Sequence, residues 1–105
     1  MNHSMDKADR RTILKQIVWD YNISAEEIDA VLRGDTEYAG HYTREKIFIR
    51  ILESCPWFTI IGLFSPDQIK SLLTAQVIRK LRSPSLRKKY EFVQQRLQQL
   101  IPAAG

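Results

Sequence analysis

Cys55 is the one thiol in this sequence, and His3 and His41 are the two imidazoles that could serve it as a base. A cysteine nucleophile needs its thiolate, which a neighbouring imidazole can generate. Cys55, however, continues the apolar series Ile47, Phe48, Ile51 and Leu52, where a small buried thiol is the ordinary occupant. The same three residues lack the close ligand spacing that zinc sites use. The segment "RGDTEYAGHY" (33–42) offers Gly34 and Gly40, but no Lys-Ser/Thr follows to complete a phosphate-cradling loop. Its Asp35 and Glu37 would also repel phosphate. Glu26 and Glu27 form a carboxylate pair, and the first turn of a helix is sufficient reason for them, because the dipole favours acids there. These residues predict a protein that is not an enzyme and carries no metal or cofactor.

Charge chemistry is more pronounced. "RKLRSPSLRKKY" (79–90) holds Arg79, Lys80, Arg82, Arg87, Lys88 and Lys89 and no acid. The first three close a predicted helix, where the dipole welcomes cations. Arg87, Lys88 and Lys89 open the next helix, where the dipole opposes them, so something negative should offset this triplet. One candidate is internal: residues 20–37 carry Asp20, Glu26, Glu27, Asp29, Asp35 and Glu37 against Arg33 alone. Exposed pairs of that kind contribute about 0–1 kcal/mol each. The others are a partner protein and nucleic acid. Arg, Lys and Ser suit backbone phosphates, whereas Tyr90 is the cluster's only aromatic and no Asn or Gln stands beside it to read adenine. The junction at Thr74 is too short for a helix-turn-helix corner and lacks its glycine. Trp19 falls opposite the apolar stripe of its predicted helix: it is core if that helix is covered on both sides or ends early, and otherwise a contact residue, since tryptophans are enriched at binding hot spots. Trp19, Asp20, Glu26, Glu27 and Asp29 are therefore the candidate partner surface. Trp57 and Phe58, just after Pro56, read as core anchors.

The elements that must position these groups announce themselves by their caps. "ISAEEI" sets Ser24 as N-cap with Glu27 at the third helical position, a capping box, and Ile23 and Ile28 flank it as a staple. "FSPDQI" repeats this with Ser65, Gln68 and Pro66 at the first helical position. Thr43, Thr74 and Ser83 are further caps. Helical spacing joins Ile13, Leu14, Ile17, Val18 and Tyr21, then Ile28, Val31 and Leu32 up to the stop at Gly34. Leu86, Tyr90, Val93, Leu97 and Leu100 make a long stripe ended by Pro102. Helices are predicted near 7–21, 25–33, 43–55, 57–62, 66–73, 75–81 and 84–101. The alternation of Ile47, Ile49 and Ile51 before the β-prone "WFTII" would also suit a hairpin, but the Thr43 cap and Glu45 in the first turn favour helix.

The chain as a whole has 105 residues, 44% of them apolar and 27% charged, enough for one modest globular core. Four Gly and four Pro are too few for the turns of an all-β fold. The expected fold is all-α, a small orthogonal bundle of about six helices over residues 7–101, with 1–6 outside the domain and 102–105 a tail. The net charge of +4 hides an asymmetry: residues 1–53 carry eight basic and ten acidic side chains, residues 54–105 eight and two. Arg50, Glu53 and Pro56 interrupt the apolar run from Ile47 to Phe64, which is therefore core and not a bilayer span. A lone cysteine and no visible signal peptide fit a reducing, cytoplasmic setting.

Three stretches, "IVWDYNI" (17–23), "AGHYTREKIF" (39–48) and "LRSPSLRKKYEFV" (81–93), resemble short bacterial helical proteins associated with genes for nucleotidyltransferase-like toxins of the AbiE type. The resemblance spans residues 17 to about 97 and includes no catalytic motif. It implies a bacterial, antitoxin-like accessory protein. The expected function is a non-catalytic protein–protein interaction module, with another protein as partner and no membrane. The alternative is a nucleic-acid-binding domain that holds phosphates with the 79–89 corner.

Overall fold

The computed structural model describes residues 6–18 and 20–101, and among them are seven α-helices and one two-stranded sheet. The protein is all-α. Trp19, residues 1–5 and the expected tail 102–105 lie outside the described residues. Asp6, from the segment expected to precede the domain, is the N-cap of the first helix and accepts from the N–H groups of Ala8 and Asp9. Two compact units divide the chain, Met1–Leu63 and Phe64–Gly105.

The first unit contains α1 (Lys7–Ile17), α2 (Ala25–Arg33), a hairpin of β1 (Tyr38–Ala39) and β2 (Tyr42–Thr43), α3 (Arg44–Ser54) and α4 (Trp57–Leu63). Helices α1, α2 and α3 touch one another, and α4 touches α3. Each begins where its cap dictates. Ser24 and Glu27 form the reciprocal capping box of α2, and Thr43 accepts from Lys46 N–H to start α3. Gly34 ends α2 in the left-handed region at φ +84°, the conformation that only glycine adopts at little cost. In α3 the buried set is Ile47, Phe48, Ile51 and Leu52, a 3.6-residue period that excludes the hairpin alternative. Burying each such side chain favours folding by roughly 1.5–3 kcal/mol.

Helix α1 is shorter than expected. It stops at Ile17 and does not continue to Tyr21, whose side chain is fully exposed. Asp20 explains the stop: its carboxylate accepts from Asn22 N–H at 2.9 Å, a turn that competes with helix. Basic side chains satisfy the carbonyls left behind. Lys15 Nζ donates to Asp20 O and Ile23 O, and Arg50 Nε donates to Ile17 O at 3.0 Å.

The second unit contains α5 (Pro66–Leu72), α6 (Ala75–Lys80) and α7 (Pro84–Leu100), with α7 touching both of the others. Ser65 and Gln68 form the second capping box, while Thr74 and Ser83 cap α6 and α7. Ile69, Leu73, Val77, Ile78, Leu81, Tyr90 and Leu97 are buried. Leu100, expected on the buried stripe of α7, is instead exposed, and the carbonyl of Ile101 just beyond it accepts from Lys70 Nζ.

Candidate functional site

The acidic half of the expected partner surface is largely engaged within the first unit. Asp29 takes the Arg10 guanidinium through Nε and Nη2, the latter at 2.9 Å, and Arg33 approaches its other oxygen at 3.9 Å. With side-chain exposures of 19% and 26%, the Arg10–Asp29 pair is sheltered enough to matter structurally. Arg10 Nη1 also donates to Leu63 O, so one side chain ties α1 to α2 and to the end of α4. Glu27 serves the capping box, and Asp20 holds the turn after α1. Glu26 pairs with Arg11 at 2.8 Å, but both are about 60% exposed, so this pair contributes little. An open groove of about 970 Å³ runs beside that pair, with Tyr21 and Lys15 also on its wall. Counting charges along 20–37 found only Arg33, because Arg10 and Arg11 are supplied by a different helix.

Cys55 is the C-cap of α3, its N–H bonded to Ile51 O at 2.9 Å. Partial burial pushes its thiol pKa up, which favours the unreactive protonated form. His41 is exposed in the hairpin turn, its ring centroid 6.4 Å from that of Tyr42, and His3 lies outside the described residues. Among the described residues no group of three or more His, Cys, Asp or Glu side chains could hold a metal ion.

The basic corner separates into distinct parts. Arg79 and Lys80 are exposed on the last turn of α6, and Arg82 is exposed in the two-residue link before the Ser83 cap. Arg87 is different: it is half-buried, and Nη1 donates to Leu81 O at 2.5 Å and to Arg82 O at 3.3 Å. It thereby caps the carbonyl end of α6, so the offset that the sequence demanded for this residue is a helix C-terminus and not an acid. Lys88 and Lys89 remain exposed, Lys89 Nζ lying 5.3 Å from the centroid of the buried Tyr90 ring. The corner borders a depression of about 390 Å³ lined by Pro84, Ser85, Arg87, Lys88 and Glu91.

Besides Tyr21, two exposed aromatic positions were not anticipated. Phe58, expected in the core, is 81% exposed on α4, and Ile61 one turn later is 36% exposed. Trp57 is half-buried. On α7 the expected aromatic, Tyr90, is fully buried, while Phe92 is 63% exposed. A helical wheel of α7 identifies Phe92, since residues 86, 90, 93 and 97 set the inner face and 92 lies opposite. Nothing in the pattern of α4 does the same, because that helix is apolar on every side. Among the described residues no helix is long and apolar enough to cross a membrane. Comparison with protein-family models, curated proteins and solved structures finds no match to this chain.

Proposed function

We propose that this protein is a non-catalytic protein-interaction module, a regulatory or antitoxin-like accessory, and that it meets its protein partner through the outward face of α4. The observation that carries this reading is the exposure of Phe58 and Ile61 on a helix without a single charge. No charged side chain occurs anywhere in residues 54–66. A helix apolar all round belongs in a core or against another surface, and Ile60 and Leu63 occupy only its inner side. Covering Phe58 would contribute roughly 1–2.5 kcal/mol to association, and the already two-thirds-covered Ile61 roughly 0.5–1 kcal/mol. The accessory role itself rests on the resemblance carried by residues 17–23, 39–48 and 81–93, which would set it in a bacterial cytoplasm.

Site-specific photocrosslinking tests the surface. A benzophenone side chain replacing Phe58 in host cells should yield one dominant protein adduct. That adduct should vanish with Ile61→Glu and should not form from the exposed Tyr38. No discrete adduct from position 58, or the same adducts from both positions, would end the reading.

A further inference from the structure

We infer that the outward face of α7 binds single-stranded nucleic acid, with Phe92 as a stacking platform inside a ring of cations. This inference is independent of the α4 reading, since it uses residues of the other unit. At about 100° per residue, Ser85, Lys88, Lys89, Phe92, Arg96 and Gln99 share one side of the helix. All six are exposed and none is acidic; the one acid of α7, Glu91, lies at the edge of this face beside Lys88. The opposite side holds the buried Tyr90 and Leu97, so the helix is committed to this orientation. Lys88 and Lys89 stand one turn before Phe92 and Arg96 one turn after, the spacing at which helical side chains are neighbours. Arg79, Lys80 and Arg82, also exposed, precede α7 in the same unit.

The occupant follows from charge and from the single ring. An anion of repeating charge matches Lys88, Lys89 and Arg96 around one ring, in a unit with eight basic and two acidic side chains. Protein interfaces are depleted in lysine around their aromatic anchors, whereas sequence-tolerant single-strand binders combine a cationic track with aromatic stacking. A duplex keeps its base faces stacked inside and would leave Phe92 without a role. A membrane surface would call for several apolar side chains among the cations, and Phe92 stands alone there, the exposed Leu100 lying two turns further on at the end of α7. The strip lacks a base-reading group beyond Gln99, whose Oε1 accepts from Arg96 Nη1 at 3.4 Å, so binding should tolerate sequence.

Fluorescence anisotropy of the full-length protein with labelled 15-nucleotide oligo(dT) and oligo(U) supplies the test, the two arms distinguishing DNA from RNA. Contacts from Lys88, Lys89 and Arg96 to a single strand predict a log–log salt slope of about −2. Replacing Lys88, Lys89 and Arg96 by Glu should flatten that slope by about 2, while reversing Arg44, Lys46 and Lys7 in the first unit should leave it nearly unchanged. Phe92→Ala should weaken binding by roughly tenfold at an unchanged slope, and Phe92→Trp should restore it. Circular dichroism confirms that each variant is folded. The inference falls if neither oligonucleotide binds at 50 mM salt, or if Phe92→Ala binds like the parent. It falls equally if a duplex, an anionic phosphatidylserine vesicle or a poly-glutamate chain binds as tightly as the single strands.

Discussion

Arg87 is where a residue's type and its role part company. Read along the chain it is one of six cations awaiting an anion; in space it hydrogen-bonds Leu81 O and Arg82 O and closes the end of α6. A charge-assisted hydrogen bond contributes roughly 1.5–3 kcal/mol when sheltered, and half-burial should reduce this to about 1–2 kcal/mol. Arg87→Met is therefore expected to lower stability by about that amount, whereas Lys88→Met, one residue on and exposed, should stay within about 0.5 kcal/mol. Urea denaturation of the two variants measures the difference, and equal midpoints would remove the capping role. Spacing alone could not have revealed it, because a guanidinium reaches five or six residues back and the sequence does not say which carbonyl it will meet. The acids of 20–37 were hidden for the same reason. Asp29 and Glu26 find Arg10 and Arg11 across a gap of 15 or more positions, which no local charge count detects. Cap hydroxyls are the opposite case. Ser24, Thr43, Ser65, Thr74 and Ser83 act on N–H groups three residues away, so their roles were written in the order of the residues.

At the level of elements, helix starts were more legible than helix ends or turns. Starts are chosen by a hydroxyl or carboxylate and a short spacing; the end of α1 is decided by the Asp20 turn and by Lys15 and Arg50 satisfying the freed carbonyls. The hairpin also carried a signal that helix-minded reading passed over. In "YAGHYT" a Gly-X pair sits between β-prone residues, and the observed register pairs Tyr38 with Thr43 and Ala39 with Tyr42. Gly40 has φ +61°, while no non-glycine described residue has positive φ, the signature of a type II′ turn. A Cβ at Gly40 would stand 2.6 Å from Ile23 Cδ1, so the turn lies directly on the residue that precedes the α2 cap. Gly40→Ala should consequently cost about 1–3 kcal/mol from the combined φ strain and overlap. Ile23→Val alone should cost about 0.5–1.5 kcal/mol by leaving a small void. The double variant should be less destabilised than the sum, because valine removes the Cδ1 that the new methyl meets. Strict additivity in a thermal-melt cycle would mean that the turn and Ile23 are not in contact.

For the whole molecule, the sequence asymmetry of charge coincides with a structural boundary. No charged residue lies between Glu53 and Asp67, so the division found by counting falls on the division between Met1–Leu63 and Phe64–Gly105. The first unit has net charge −2 and holds a sheltered pair at contact distance, Arg10 with Asp29 at 2.9 Å. The second has net charge +6, a surplus of one sign that two acids do not balance. Salt distinguishes these two kinds of electrostatics. Raising ionic strength from 0.1 to 1 M shortens the screening length from about 10 Å to about 3 Å, which suppresses long-range repulsion and leaves sheltered contact pairs nearly intact. Net self-repulsion destabilises a compact unit, so its removal should stabilise the second unit and not the first. Chloride salt also strengthens apolar burial in both, so the informative quantity is the difference between them. Residue-resolved hydrogen exchange of the intact protein reports it. Protection in α5, α6 and α7 should rise by a few tenths of a kcal/mol more than in α1, α2 and α3 over this range of salt. Equal gains in both units would show that the excess positive charge is already neutralised within the protein, and the cationic strip on α7 would then have little to offer a nucleic acid.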